Sequence, residues 1–518
     1  MNRVRFSPWK VAIGLFLLFV FLNPGRNEST DARVRLAVAR EMWTHGRISL
    51  AEGDEPLPRY WTRRSDGRVV SYYHPGQSLV FVPFDALGCL LAGASPGPLR
   101  TSSPAAWWPI AVLLEPALGA LWWWLLWRIL TEWGFTARFG AAAAAMCLVG
   151  TIALFYIGFE QEEALVGVAL AAALLCTLRW ESTGRAAFAA GAGAALGFAV
   201  LTRPDALFGL LGIAPVFLSA RRGGRWRAVL AAVAASAPFA AVFLLYDKVR
   251  YGSIWSLRRS RDFFHFALGG TVWGIDTGAA FRAVGLLIGP GKGWFVLSPF
   301  LLTGLAGFAV MWRRSRALTL GCLSAFLAAA VFDSGFADLS DGAWSWGTRY
   351  LVFLVTFWAI PAACGVERLL RTRRFGLLAV PCLASLAIQA GSVFFTQNLE
   401  YIQLREESIW NSQPLVTGVR HGQLFLRARN IVQWIGGRRG SFVEAPMAPE
   451  DLEVLPLHVR EEMNLGTLAP NFWGPVTARR LPAPAGRAVL AVWAATGLGT
   501  ALLLYFGFFP RRDRGEDP

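Results

Sequence analysis

Lysine is nearly absent from this 518-residue chain, occurring only as Lys10, Lys248 and Lys292. Charge of any kind is scarce: 16% of residues are charged, 55% are apolar, and mean hydropathy is +0.43. A soluble protein carries about a quarter of its residues as charges to cover its surface, so that class is excluded. The six cysteines (Cys89, Cys147, Cys176, Cys322, Cys364, Cys382) fall in apolar stretches without metal-ligand spacing. They read as small core residues, and no zinc or iron–sulfur module is expected. No internal repeat or low-complexity tract stands out, although 141–145 and 171–173 are alanine-rich helix.

What is present is a succession of apolar runs, many of roughly 20 residues, the length that crosses a hydrocarbon core. Spans are expected near 9–22, 104–127, 139–157, 164–180, 187–201, 204–220, 228–246, 283–311, 317–333, 350–366, 375–395 and 487–509. The first run follows Arg3, Arg5 and Lys10 without a small-residue cleavage pattern, and so reads as an uncleaved span. The net charge of +16 does not indicate nucleic acid, because arginines gather in short loops at alternate ends of the runs. Those loops hold Arg128 and Arg138, Arg179 and Arg185, 221–227, 313–316, 368–374 and 511–514, and they are assigned to the inside. The apolar stretch 76–94 would reverse this parity, and it contains Pro83 and Asp85. It is expected to lie half-inserted at the outer interface. Three outer segments are long: 23–75, 247–282 and 396–487.

In the first outer loop, Val34, Val38 and Met42 recur at helical spacing, with Arg33, Arg40 and Arg47 on the other face. This predicts an amphipathic helix resting on the outer leaflet. Asp31 reads either as a dipole-favoured first-turn residue behind a Thr30 cap, or as a catalytic carboxylate where headgroups meet water. Further on stands SDGRVVSYYHPGQSLVFVPF, from Ser65 to Phe84. A carboxylate just after the first span, an interfacial helix and then this aromatic-proline string resemble the GT-C superfamily of membrane glycosyltransferases. The branch is the bacterial one related to protein O-mannosyltransferases and aminoarabinose transferases (glycosyltransferase family 39-like). The resemblance implies that Asp31 is a base or acceptor-orienting group, with Tyr73, His74 and Gln77 binding substrate.

The loop FYIGFEQEEAL holds Glu160, Glu162 and Glu163 at a membrane boundary. Carboxylates there are costly to keep ionised unless water, a cation or a ligand compensates, although a solvated helix cap is the plainer reading. Related GT-C enzymes place a second acidic residue in this loop, usually before a proline that is missing here. In LTRPDALFG, Arg203 and Asp205 flank a helix-breaking Pro204, either as a local pair or as the family's Arg-Pro element. Lys292 lies in GLLIGPGKGWFVLSPFLL, where glycines expose backbone amides beside an ammonium. That combination suits a phosphate, or is a glycine turn with a snorkelling lysine; it lacks Walker spacing. Arg258, Arg259 and Arg261, interleaved with aromatic residues in WSLRRSRDFFHF, suit anionic headgroups or a donor phosphate. In DGAWSWGTRYLVF, Trp344 and Trp346 are belt residues or sugar-stacking ones, and Arg349 opens a span against the charge bias. This string resembles a Trp–aromatic–Gly–Pro–Arg–Tyr motif of the family, with Thr348 replacing the proline.

The expected fold is an all-α polytopic membrane protein, a GT-C-like bundle of about twelve helices. It comprises a catalytic module over 1–395 (first outer loop 23–103), an extracytoplasmic segment over 396–486, and a last span with cytoplasmic tail over 487–518. The resemblance implies an inverting glycosyltransferase in the bacterial inner membrane, with its site facing the periplasm or exterior. It would take a polyprenyl-phosphate sugar, and its acceptor would be a glycan, lipid or protein. The donor phosphate is assigned to Lys292, Arg349, Arg203, Arg258 and Arg259. Catalytic carboxylates are sought among Asp31, Glu160, Glu162 and Glu163. No cofactor is obligatory and no metal ligand is assigned, while the glutamate trio leaves a divalent cation open. The rival readings are an envelope-polysaccharide ligase or polymerase, and a secondary transporter. Transporters place ionisable groups near the bilayer midplane within repeated halves; here Glu115, deep in the second span, is the main such residue, and it is expected to pair with an arginine.

Overall fold

The computed structural model describes residues 6–25, 29–50, 61–64, 66–93, 107–159, 161–219, 224–252, 254, 277–334, 346–396, 399–400, 403, 418–437, 470–478 and 481–509. Seven helices are long and apolar enough to cross a membrane: Pro109–Trp133, Glu162–Thr183, Arg225–Tyr251, Arg316–Ser334, Arg349–Arg371, Phe375–Ser392 and Ala483–Phe508. Five shorter apolar helices accompany them: Pro8–Leu22, Pro75–Leu91, Ala137–Val149, Ala186–Thr202 and Pro204–Ser219. The fold is therefore the all-α, multi-helix membrane architecture expected from the apolar runs.

Helix α1 (Pro8–Leu22) leads through Asn23 to α2 (Thr30–His45). Strands β1 (Trp61–Arg63) and β2 (Val69–Ser71) form an antiparallel hairpin, with Thr62 opposite Val70, before α3 (Pro75–Leu91). A π-helical turn, Pro109–Leu114, opens α4 (Glu115–Trp133); α5 (Ala137–Val149) and the short α6 (Ala153–Ile157) follow. Next come α7 (Glu162–Thr183), α8 (Ala186–Thr202), α9 (Phe208–Ser219) and α10 (Arg225–Tyr251). Helix α7 is the hub. It packs on α4, α8 and α9, and is buried on nearly all sides, as a helix that is apolar all round should be.

The expected span 283–311 is not one helix. Helix α11 (Thr277–Ile288) stops at the Gly289–Gly293 turn, α12 (Trp294–Leu297) is one turn long, and α13 (Leu302–Arg314) resumes after a 3-10 turn at Pro299–Leu301. Gly289, Pro290, Gly291 and Pro299 supply the physical reason, since none of them sustains an α-helical ladder. Then follow α14 (Arg316–Ser334), α15 (Val355–Arg371, entered by a 3-10 turn from Arg349), α16 (Phe375–Ser392), α17 (Gln423–Ile435), α18 (Trp473–Ala478) and α19 (Ala483–Phe508). The first and last helices pair. Trp493 stacks on Phe21 at 4.4 Å between ring centroids, and its indole N–H donates to the Phe21 carbonyl at 3.0 Å.

Helix α2 does not rest on lipid in the way its periodicity suggested. Val34 and Val38 pack with Leu50 and Val69 under the hairpin. Arg40, assigned above to a polar face, is buried and clamps Asp85 of α3 through two hydrogen bonds of 3.0 and 2.6 Å. The Trp43 indole donates to the same carboxylate at 2.8 Å. A bidentate buried pair of this kind is costly to break from one side, about 3–5 kcal/mol, and it fixes α2 against α3. The N-cap is Ser29, whose hydroxyl accepts from the Ala32 amide at 3.3 Å; Thr30 is already inside the helix.

Gly76 sets how closely α3 approaches α8, because a Cβ there would lie 2.2 Å from the Thr202 hydroxyl and 2.5 Å from the Thr202 Cα. Backbone cannot yield as a flexible side chain can, so Gly76→Ala should destabilise the protein by about 1–3 kcal/mol. Thermal unfolding in detergent checks this, and an unchanged midpoint would contradict it.

Candidate functional site

Two helix N-termini carry the carboxylates. Asp31 stands in the first turn of α2, and Glu162 and Glu163 stand in the first turn of α7. The positive end of a helix dipole favours a carboxylate at such positions. Gln161 ties the two ends together, donating from its side-chain nitrogen to the Ser29 hydroxyl at 2.9 Å.

Arg349 joins them electrostatically. Its Nη1 donates to Asp31 at 2.7 Å, its Nε to Glu163 at 2.5 Å, and its Nη2 to Glu162 at 3.4 Å. Arg203 donates to Glu163 at 2.9 Å, and through Nε to both oxygens of Asp205 at 2.7 and 2.8 Å. Arg35, one helical turn after Asp31, is paired with Glu162, and its guanidinium lies 4.0 Å from the centre of the Tyr73 ring. The Tyr73 hydroxyl donates to the second oxygen of Asp31 at 2.5 Å. Arginines 35, 203 and 349 thus face the carboxylates of Asp31, Glu162, Glu163 and Asp205, and each of the seven groups has a partner of opposite charge. Burial by itself pushes the Asp31 carboxyl up. The charges of Arg349 and Arg35, with the hydrogen bonds from Tyr73 and Arg349, outweigh that and hold it below its ordinary value.

Local sequence explains each placement. Pro204 cannot continue α8, so Arg203 turns to extended backbone at φ −153° and leaves the helix axis. Gly347 takes the left-handed conformation at φ +65° that a side chain would strain, and this turn delivers Arg349. Tyr73 follows β2 in a turn held by Arg250, whose Nη1 donates to the carbonyls of Ser71 and Tyr73 at 2.9 Å each. Arg250 is itself paired with Asp247 at 2.5 Å.

Lys292 lies in the Gly289–Gly293 turn with 2% of its surface exposed. Gln423, the first residue of α17, connects this turn to the Arg349 turn. Its amide donates to the Gly291 carbonyl at 3.2 Å, and its side-chain oxygen accepts from the Gly347 amide at 2.8 Å. Arg427, one helical turn later, binds both oxygens of Glu400 at 2.5 and 2.8 Å and stands 5.1 Å from the centre of the Trp346 ring. Glu400, Gln423 and Arg427, from a segment in which the sequence shows no motif, therefore brace the Gly289–Gly293 turn and the turn that delivers Arg349.

Other sequence-derived residues fall as follows. His74 stands at the N-terminal boundary of α3 and stacks on Phe243 at 4.8 Å, and Gln77 is buried in the first turn of α3. Trp346 is fully buried and presents no ring face to solvent; its carbonyl accepts from the Tyr156 hydroxyl at 2.9 Å. Glu160, Arg258, Arg259, Arg261 and Trp344 lie outside the described residues. Glu115 is buried, and its two carboxyl oxygens have no hydrogen-bond partner among the described residues, so the expected arginine pairing is absent there. Among the described residues no group of three or more His, Cys, Asp or Glu is placed to hold a metal ion. The structure adds Arg35, Gln161, Arg250 and Gln423 to the site. Arg35 alone had a readable signal, its spacing of four from Asp31 on one helix.

No family model matches the chain, and no curated protein sequence matches it. Among solved structures it is similar to ArnT from Cupriavidus metallidurans in the apo state, at 17% identity and TM-score 0.48, over 96% of this chain and 76% of that one. It is similar to the same protein bound to undecaprenyl phosphate at 17% identity and TM-score 0.46, over 96% and 77%. A third likeness is to the archaeal oligosaccharyltransferase AglB from Archaeoglobus fulgidus, in complex with an inhibitory peptide and a dolichol-phosphate. That match has 13% identity and TM-score 0.48, over 78% of this chain and 58% of that one.

Proposed function

We propose that the chain is an inverting glycosyltransferase that moves a sugar from a polyprenyl-phosphate donor to an acceptor hydroxyl at the extracytoplasmic face of a bacterial inner membrane. The observation that carries this reading is the meeting of Asp31, Glu162 and Glu163 on the single guanidinium of Arg349. A buried ionic cluster contributes little net stability, so its assembly from four distant segments points to chemistry. A cleft of about 550 Å³ lies between the end of α2, the hairpin and α10. Leu79, Leu245 and Val249 give it an apolar wall, and Arg47, Arg64 and Arg68 give it a cationic rim.

In this reading Arg349 orients carboxylates more than it holds phosphate, because its three donor directions are taken by Asp31, Glu162 and Glu163. The donor phosphate is assigned to Lys292, in whose turn the Gly289 and Gly293 amides are already spent on the Gly285 and Gly289 carbonyls. The acceptor hydroxyl donates to Asp31 and attacks the anomeric carbon. The C–O bond to phosphate breaks with inversion, and the phosphate departs carrying the bonding pair. Asp31 takes the proton as the new bond forms and passes it to the departing phosphate monoester, whose second ionisation lies near pH 6. An acid held ionised this firmly is a weak base, so its main effect is on orientation and on the positive charge developing at the sugar.

The sign of the pH dependence follows. The folded protein depresses Asp31, so the stability and activity tied to its ionised form are complete above the ordinary carboxylate range. They are lost only as pH falls through the depressed value. The pH profile of kcat is therefore expected to show no Asp31 limb at or above the ordinary carboxylate range. A limb there that disappears in Asp31→Asn would contradict the assignment.

Purified protein given a polyprenyl-phosphate sugar and a set of glycan, lipid and peptide acceptors tests the function. The expected result is a glycoside of inverted anomeric configuration. Flux of a solute across sealed vesicles without glycosyl transfer would replace this reading with the transporter. Transfer of a preassembled polymer alone would replace it with the ligase.

A further inference from the structure

A second groove, lined by no residue of the carboxylate cluster, opens between α13 and α16. The 3-10 turn that leads into α13 meets α16 where the Phe300 amide donates to the Ser385 hydroxyl at 2.7 Å. Its walls carry Leu302 and Ala306 on one side and Leu377 and Val380 on the other, and they enclose about 920 Å³. Arg373 and Arg374 form the mouth. Helix α16 has ten residue steps between Phe375 and Ser385, about 15 Å at the α-helical rise, or half of a typical hydrocarbon core. The groove is thus as deep as one leaflet, apolar within and cationic at its rim.

The charge at the mouth is unbalanced. The 367–374 stretch carries Arg368, Arg371, Arg373 and Arg374 against Glu367 alone, and Glu367 is paired with Arg371 at 2.7 Å. Arg368 donates to the Ala306 carbonyl at 3.3 Å. The side chains of Arg373 and Arg374 are exposed and make no hydrogen bond or ion pair among the described residues. Arg373 is also the one non-glycine residue with positive φ among the described residues, at +56°. Left-handed backbone costs a residue of this kind roughly 1–2 kcal/mol.

We propose that this groove is a binding site for an anionic glycerophospholipid. The phosphate lies between the Arg373 and Arg374 guanidiniums, and one acyl chain runs between α13 and α16 to the Phe300–Ser385 contact. Guanidinium recognises phosphate by paired N–H donors, and basic pockets between membrane helices are suited to anionic headgroups. A zwitterionic lipid would fill the same apolar space without relieving the excess positive charge at the rim.

The test uses full-length protein exchanged into detergent micelles containing phosphatidylglycerol or phosphatidylcholine at equal mole fraction. Bound lipid is counted by native mass spectrometry, and the unfolding midpoint is followed. Wild type is expected to retain phosphatidylglycerol at least tenfold over phosphatidylcholine and to be stabilised by it alone. The double variant Arg373→Gln/Arg374→Gln should lose that preference, and Ala384→Trp, which fills the groove beside Ser385, should lose bound lipid of both kinds. Equal retention of the two lipids by wild type, or undiminished phosphatidylglycerol binding in both variants, would overturn the proposal.

Discussion

Asp31→Asn is expected to lower turnover by about three orders of magnitude while leaving the folded protein intact. General acid–base and orienting groups contribute roughly 10²–10⁴ in rate. The substitution keeps an acceptor for the Tyr73 hydroxyl, which donates to Asp31 at 2.5 Å. It also removes one negative charge from a cluster in which Asp31, Glu162, Glu163 and Asp205 face Arg35, Arg203 and Arg349. The remaining three carboxylates and three guanidiniums balance, so no uncompensated charge is left buried. Loss of activity with an unchanged unfolding midpoint would therefore locate the defect in the chemistry. Full turnover by Asp31→Asn would remove this residue from the reaction.

The largest expected effect on stability is at Arg349. Arg349→Met removes the one cation shared by Asp31, Glu162 and Glu163, and Arg203 and Arg35 can satisfy only part of what remains. Breaking a buried ionic network from one side costs about 3–5 kcal/mol, because the opposite charges stay buried without compensation. Arg349→Lys restores a charge but only as a point, without the three-directional fork that reaches three carboxylates, and should recover part of the stability and little activity. Arg349→Met/Glu163→Gln should regain stability relative to Arg349→Met alone, with a coupling of about 0.5–3 kcal/mol in a double-mutant cycle. Additive effects would mean that the guanidinium and Glu163 are not energetically linked. Chemical unfolding in mixed micelles measures each variant.

Much of this arrangement was legible in the chain because membranes force it to be written plainly. Apolar runs give the helices, and arginines mark the loops between them. Asp31, Glu162, Glu163, Arg203 and Arg349 stood out because ionisable residues at span boundaries are rare, and the structure gathers these five into one cluster. The surroundings of α2 were not legible. Val34 and Val38 read the same whether their neighbours are acyl chains or Leu50 and Val69, since both environments are apolar. The Arg40–Asp85 pair joins residues 45 positions apart, with no local pattern connecting them. The break in 283–311 was written in Gly289, Pro290 and Gly291, yet the apolar residues around them outweighed that signal in a reading by hydropathy. Gln423 is the furthest from any sequence rule. It is a neutral side chain in a segment without motifs, and only the folded chain brings it against both Gly291 and Gly347.

The most direct trial follows the phosphorus signal of a polyprenyl-phosphate sugar incubated with wild type and with Asp31→Asn in matched nanodiscs. The account predicts that wild type converts the phosphodiester resonance to that of the free phosphate monoester in step with glycoside formation, and that the variant leaves it essentially unchanged. Conversion at the same rate by both proteins, or by neither across a panel of donors and acceptors, would contradict it.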